Sequence, residues 1–99
     1  MQVILQVTAG SFAGQSFTFH GQVSFLVGRS RRAQVRLARL DRYFSRIHFL
    51  VEVNPPRCRI LDMGSRNGTH VNGQRVEIIE LNEGDVIKAG HTYFRFHLR

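Results

Sequence analysis

Long apolar runs are missing from this 99-residue chain. None approaches the roughly 20 residues that a membrane-spanning helix needs, so no transmembrane helix is expected. The opening residues, Met1-Gln2-Val3-Ile4-Leu5, have no basic stretch before them and no small-residue cleavage site after them. They read as a first strand and not as a secretory signal. Cysteine is almost absent: Cys58 stands alone, so no internal disulfide can form. The alternation around it predicts a buried thiol in a reducing compartment, the cytoplasm. The five histidines, His20, His48, His70, His91 and His97, have no metal-ligand spacing, and neither CxxC nor HExxH occurs. No Gly-rich phosphate loop of the dinucleotide or P-loop type is present. No metal and no cofactor are expected. Repeats, low-complexity tracts and linkers are also missing, and the length suits one domain, residues 1–99.

Acidic residues are few. The formal net charge is +7, and every basic side chain except Lys88 is arginine. Arg29, Arg31, Arg32, Arg36, Arg39, Arg42 and Arg46 crowd one segment, where only Asp41 opposes them. A planar guanidinium matches phosphate oxygens two at a time. Most single arginines on a surface are merely solvated, but that does not explain their concentration here. The segment points to an anionic partner.

What the chain does have is alternation with period two. Val3, Leu5 and Val7 make one run, and Phe17 with Phe19 a second. Val23, Phe25 and Val27 make a third, and Val35 with Leu37 a fourth. Ile47, Phe49, Val51 and Val53 form a long fifth, followed by Cys58 and Ile60 running toward Asp62. Val71, Val76 and Ile78 mark short strands, and Val86–Ala89 and Tyr93–Leu98 close the chain. Asn54-Pro55-Pro56, Asn72-Gly73, Glu83-Gly84-Asp85 and Ala89-Gly90-His91 are the turn signals. Short strands at such spacing predict an all-β fold: an antiparallel β-sandwich of about 10–11 strands. One segment, Arg36–Phe44, has Leu37, Leu40 and Phe44 at helical spacing, but it is short and reads as a loop.

Four polar motifs fall at the strand ends, so each should lie on a loop. Gly28-Arg29-Ser30 comes first, then Ser45-Arg46-Ile47-His48, then Gly64-Ser65-Arg66-Asn67-Gly68-Thr69, then Val71-Asn72-Gly73. Gly28 allows a sharp strand exit, and Arg29 on a rigid strand end is set to meet an anion or to pair with Asp41 or Asp62. The Ser45 hydroxyl can donate to a phosphate oxygen or tighten its own turn. Arg46 beside it adds a cation. Asn67 can donate and accept at once, which suits a peptide main chain. Asn72-Gly73 reads as a hairpin, and Thr69 as a strand-start packing residue. Ser45, His48 and Asp62 invite comparison with a hydrolytic triad. In a strand, however, Ser45 and His48 would face opposite ways, and no nucleophile elbow is present. A histidine bracing the loops fits better. A nucleic-acid-binding domain is the alternative suggested by the charge, yet the phenylalanines fit core positions and not a stacking platform. A sandwich binding an unphosphorylated partner through its sheet face is a further alternative, which Arg29, Ser45 and Asn67 argue against.

Taken in order, Gly28-Arg29, Ser45-x-x-His48, Asn67-Gly68-Thr69 and Val71-Asn72-Gly73 resemble the forkhead-associated (FHA) domain, across Met1 to Leu98. The resemblance implies a β-sandwich whose loops at one end bind phosphothreonine peptides, without catalysis. It implies that Arg29 and Ser45 hold the phosphate and that Asn67 holds the peptide main chain. Arg46 matches a position that often adds a contact, Arg66 beside Asn67 is counted with the phosphopeptide-binding residues, and Arg42 stands where some members carry a further polar phosphate contact. Gly28, His48, Gly68, Thr69 and Asn72 would shape it. It further implies a phosphothreonine-containing partner, such as an autophosphorylated Ser/Thr kinase, and a domain cut from a longer cytoplasmic signalling protein.

Overall fold

The computed structural model describes residues 1–37 and 41–99. Eleven strands are found among them: β1 (Gln2–Ala9), β2 (Ser16–His20), β3 (Val23–Gly28), β4 (Val35–Arg36), β5 (Phe49–Asn54), β6 (Arg57–Asp62), β7 (Thr69–Val71), β8 (Gln74–Val76), β9 (Ile78–Glu80), β10 (Val86–Ala89) and β11 (Thr92–Leu98). They form a six-stranded sheet in the order β2-β1-β11-β10-β7-β8 and a five-stranded sheet in the order β4-β3-β5-β6-β9. The chain changes sheets within a single residue, Glu77, between Val76 and Ile78.

The alternation explains why the two sheets face each other. Val3, Leu5, Val7, Ile87, Phe94 and Phe96 point inward from the first sheet. Phe25, Val27, Phe49, Val51, Cys58 and Ile60 meet them from the second. Phe94 is the junction, with its ring edge-on to Phe49 at 5.7 Å and to Phe44 at 6.2 Å between centroids. Such edge-to-face pairs add to the stabilisation from burial alone. Cys58 is buried and free, and burial pushes its thiol up from the ordinary value.

Turn chemistry behaves as the sequence predicts at two hairpins. Asn72-Gly73 links Val71 to Gln74 with φ of 50° and 85°, the left-handed pair that a two-residue connection requires. Asn54 and Arg57 close the β5–β6 hairpin around Pro55-Pro56.

Two features depart from the expectation. The fourth run is only two residues long, and it pairs parallel to β3 through Val27↔Val35 and Gly28↔Arg36. The sandwich is therefore antiparallel everywhere but at this edge. Leu37 carries the apolar pattern onward but is buried as a plug, its N–H bonded to the Gly28 carbonyl at 2.9 Å. Within the Arg36–Phe44 segment, Arg39 and Leu40 lie outside the described residues. Asp41–Phe44 form a turn closed by Phe44 N–H to the Asp41 carbonyl at 3.1 Å.

Candidate functional site

Three loops come together at one end of the sandwich: β3–β4, β4–β5 and β6–β7. Each is fixed before it meets the others. The β6–β7 turn is organised by Asp62 at the end of β6. Its carboxylate accepts the N–H groups of Gly64 at 3.1 Å and Ser65 at 3.0 Å, the Ser65 hydroxyl, and the Thr69 hydroxyl at 2.7 Å. Burial alone would raise this carboxyl, but the bonds from Ser65 and Thr69 outweigh it and hold it below its ordinary value of 3.8. Thr69 is fully buried, as expected of a packing residue. Gly68 has φ of 85°, so the turn needs a glycine there.

The β4–β5 loop hangs on Asp41, which is buried. Asp41 accepts the Tyr43 N–H at 3.0 Å, the His91 N–H at 2.6 Å and the Thr92 hydroxyl at 2.8 Å. It therefore ties this loop to the β10–β11 turn. Asp41 and Asp62 are the two acids offered as alternative ion-pair partners for Arg29. Both spend their oxygens on turn geometry instead.

Arg29 leaves β3 with its N–H on the Ser45 carbonyl at 3.2 Å and its Nε on the Phe44 carbonyl at 2.5 Å. The Arg36 Nε caps the Arg29 carbonyl at 3.2 Å. One edge of the Arg29 guanidinium is thus anchored, and its two terminal amino groups take no partner among the described residues. Neither of the expected ion pairs, with Asp41 or with Asp62, forms. Gly28 is needed for a different reason from Gly68. A Cβ at position 28 would lie 2.1 Å from the Arg46 carbonyl oxygen and 3.1 Å from the Ile47 Cα. The β4–β5 loop can pass only because that side chain is missing.

His48 joins two loops. It accepts the Ser45 N–H on Nδ1 at 2.9 Å, and its Nε2 meets the Gly68 carbonyl at 2.8 Å. A backbone N–H can only donate and a carbonyl can only accept, so the ring is the neutral Nε2–H tautomer. Burial pushes its pKa below the ordinary 6.5. Two more bonds link the same loops: the Arg66 N–H donates to the Ser45 Oγ at 3.0 Å, and the Asn67 Nδ2 donates to the Tyr43 carbonyl at 3.0 Å. The strand geometry invoked against a Ser45–His48–Asp62 triad does not hold, because β5 starts at Phe49 and the two residues share a turn. The triad is excluded by the contacts themselves. Both His48 nitrogens are engaged with backbone, and Asp62 faces Ser65 and Thr69.

What remains available on the rim is the Ser45 hydroxyl proton, the Arg29 terminal amino groups, the Asn67 Oδ1, and the exposed side chains of Arg46 and Arg66. Arg42 is also exposed, 5.7 Å from the Tyr43 ring centre. The arginines found in ion pairs among the described residues are Arg57 with Glu80 and Arg59 with Glu52, both on β6. Charge is thus segregated, with the loops basic and uncompensated. Asn72 sits at the far end of β7, where it accepts the Val86 N–H and donates to Asp85, both at 3.0 Å. Sequence reasoning missed the turn-organising roles of Asp41 and Asp62 and the contacts of Arg36 and Tyr43. The signal was available for the two acids: an Asp whose carboxylate can reach N–H groups two or three residues on is an Asx-turn pattern. Among the described residues, no group of three or more His, Cys, Asp or Glu side chains could hold a metal ion. No helix of the described residues is long and apolar enough to cross a membrane.

Comparison with known proteins converges on one family. The model of the FHA domain matches residues 25–90. The Mycobacterium tuberculosis FHA domain-containing protein FhaA is 36% identical over 90 residues, covering 91% of this chain and 16% of that protein. The ABC transporter ATP-binding/permease protein Rv1747 of the same organism is 31% identical over 80 residues, covering 81% of this chain and 9% of its own length. The chain thus spans less than a fifth of either relative. Among solved structures, a domain studied for phosphothreonine-dependent FHA domain interactions superposes with a TM-score of 0.89 at 32% identity, covering 100% of this chain and 98% of that one. The FhaA FHA domain, solved in complex with the intracellular domain of Rv3910, gives 0.84 at 34% identity, with 96% and 99% covered.

Proposed function

The chain belongs to the FHA domain family, and on that premise we propose that it binds phosphothreonine-containing segments of partner proteins and carries out no reaction on them. One observation carries the reading. Three mutually braced loops present the free amino groups of Arg29, the Ser45 hydroxyl and the Asn67 carboxamide on one rim, with no acid to compete among the described residues. Arg29 and Ser45 take the phosphate, and Asn67 takes the peptide backbone beside it. Arg46 and Arg66 add rim contacts. Gly28, His48, Gly68 and Thr69 hold the loops in place, and Asn72 supports the sheet behind them.

A phosphorylated threonine brings about −1.5 to −2 charges and three acceptor oxygens. Charge-assisted hydrogen bonds to such a group are roughly twice as strong as neutral ones. Pre-organisation adds to this, since Arg29 is already oriented by its bond to Phe44 and loses little freedom on binding. We also read the domain as one module of a longer cytoplasmic signalling protein, with a phosphorylated signalling protein such as a Ser/Thr kinase as its partner. The small share of FhaA and Rv1747 that it covers supports that reading.

Calorimetric titration with one peptide in phosphothreonine, phosphoserine and unmodified forms tests the proposal. Micromolar binding confined to phosphothreonine is the expected result. Equal binding of all three forms overturns it. The alternative, sequence-blind nucleic-acid binding favoured by the +7 charge, predicts instead an affinity for DNA that falls steeply with salt.

A further inference from the structure

We propose that the free edge of β9 accepts an extended, unphosphorylated segment of a partner protein as an added antiparallel strand, and that this segment reads basic–apolar–apolar from its N-terminal end. The site lies on the side of the sandwich, apart from the three-loop rim, and does not depend on the phosphothreonine reading. β9 ends the five-stranded sheet, and among the described residues it pairs with β6 alone. Its bonds to β6 include the Asp62 N–H on the Glu77 carbonyl and the Leu81 N–H on the Cys58 carbonyl, both at 2.8 Å. Alternate residues of an antiparallel strand turn their backbone groups to opposite edges. Ile78 and Glu80 therefore present their N–H and C=O groups outward.

Such an edge is a template for another chain unless something covers or guards it. All three residues of β9 are exposed. Ile78, at 52%, and Ile79, at 38%, are adjacent large apolar side chains left in water. The guards are of one sign, Glu77 and Glu80, and no basic residue falls between Arg75 and Lys88 in the sequence. This edge is locally acidic in a chain of net charge +7. Two such edges brought together would align glutamates along one seam, which disfavours a second copy as the occupant.

Register says what the added strand should carry. Leu26, Leu50, Leu61 and Ile78 lie side by side across four strands, on the outward face of the sheet. The neighbouring row on that face is Ser24, Glu52, Arg59 and Glu80. Its charges alternate, with the Arg59 Nε 2.5 Å from Glu52. Glu80 has only the exposed Arg57, at 3.8 Å, and ends the row unanswered on its outer side. An antiparallel strand sets one residue opposite Ile78 and, two positions earlier, one opposite Glu80. An apolar side chain at the first continues the aliphatic row, and a cation at the second continues the alternation. The residue between them meets Ile79. An open groove of about 560 Å³ follows this face, with Glu52, Arg59, Ile78 and Glu80 in its walls.

The test is amide NMR with hydrogen exchange on the intact chain, titrated with a short unphosphorylated peptide carrying Lys-Ile-Val in a Ser-Thr background. Saturable shifts centred on Ile78 and Glu80 are expected, with a Kd of about 0.1–1 mM. Near saturation those two amides should exchange about tenfold more slowly, because a new strand takes up their N–H groups. Glu80→Lys should weaken the Lys-Ile-Val peptide about fivefold and bind a Glu-Ile-Val peptide about fivefold better than the parent does. No saturable shift at several times that concentration, or shifts confined to the three-loop rim, would overturn the site. An unchanged charge preference in Glu80→Lys would overturn the register. Exchange at Ile78 and Glu80 that slows with protein concentration alone would give the edge to a second copy and overturn the partner segment.

Discussion

The backbone N–H of Ser45, not its hydroxyl, donates to Nδ1 of His48, at 2.9 Å. That single bond turns a pair that looks catalytic in the sequence into a structural clamp. The hydroxyl is left pointing at a turn N–H on one side, with its own proton free for a ligand on the other. The clamp also requires a neutral ring, because a proton on Nδ1 would face the Ser45 N–H.

Stability should therefore depend on pH through His48. Its folded pKa lies below 6.5, the value expected in the unfolded chain. Between those two values the unfolded state binds more protons, so its share of stability is complete above about pH 6.5. It declines as pH falls below that, and levels off under the folded value. Urea midpoints measured between pH 7.5 and 5 should fall for the parent and change less for His48→Asn. Equal slopes in the two proteins would contradict the neutral tautomer.

Arg29→Ala should lose at least about a hundredfold in phosphopeptide affinity, since two charge-assisted bonds of roughly 1.5–3 kcal/mol each disappear. The fold should survive, with a cost near 1 kcal/mol for the lost bond to Phe44. Arg29→Lys should fall between parent and alanine, because it keeps the charge but neither the anchored edge nor the fork. Full affinity in Arg29→Ala by calorimetry would move the site elsewhere.

Gly28→Ala should fail for a steric reason alone. The added methyl meets the Arg46 carbonyl at 2.1 Å, and that carbonyl is the acceptor for the Ser30 N–H. Overpacking of this kind costs about 1–3 kcal/mol, and the shift displaces Ser45 and Arg46 together. We expect a lower Tm and lost binding in the same variant. A Gly28→Ala protein that melted and bound like the parent would show that the loop can step aside.

Asp62→Asn should loosen the turn that carries Arg66 and Asn67. An amide offers one acceptor oxygen where four donors now converge, and its NH2 group would face hydrogen-bond donors. The expected loss is about 1–3 kcal/mol, together with weaker peptide binding. The depressed carboxyl contributes stability that is present above its ordinary value of 3.8 and is lost as pH falls through the folded value. Acid unfolding followed by circular dichroism should show this lower transition in the parent and lack it in Asp62→Asn.

Asn67→Ala separates ligand contact from fold. Its only bond among the described residues is to the Tyr43 carbonyl at 3.0 Å, so stability should fall by about 1 kcal/mol or less. Peptide affinity should drop about tenfold or more. Matching small losses in both measurements would reduce Asn67 to a loop tie.

Much of this architecture was legible because it rests on periodicity and turn chemistry. Val3, Leu5 and Val7 are buried where alternation puts them, and Asn72-Gly73 closes the hairpin its φ angles demand. The parallel β4 was not legible, since Val35 and Leu37 alternate like any strand while partner and direction are decided by what lies alongside. The roles of Asp41 and Asp62 were hidden for a related reason. A lone acid in an arginine-rich chain reads as a counter-charge, and the competing Asx-turn pattern is too common to decide between the two readings until the folded turn brings the N–H groups together.

Gln2 and Arg99 exchange both backbone bonds, N–H to carbonyl in each direction, at 2.7 and 2.8 Å. The polypeptide enters and leaves the fold at the same point. β11 runs seven residues from the turn beside the binding loops to that point, roughly 23 Å at strand rise. Such a body can be spliced into another polypeptide as a surface loop would be, with its reading edge turned away from the host. It should also tolerate circular permutation, with a short linker joining residues 99 and 1 and new ends opened in the Asn82–Asp85 turn.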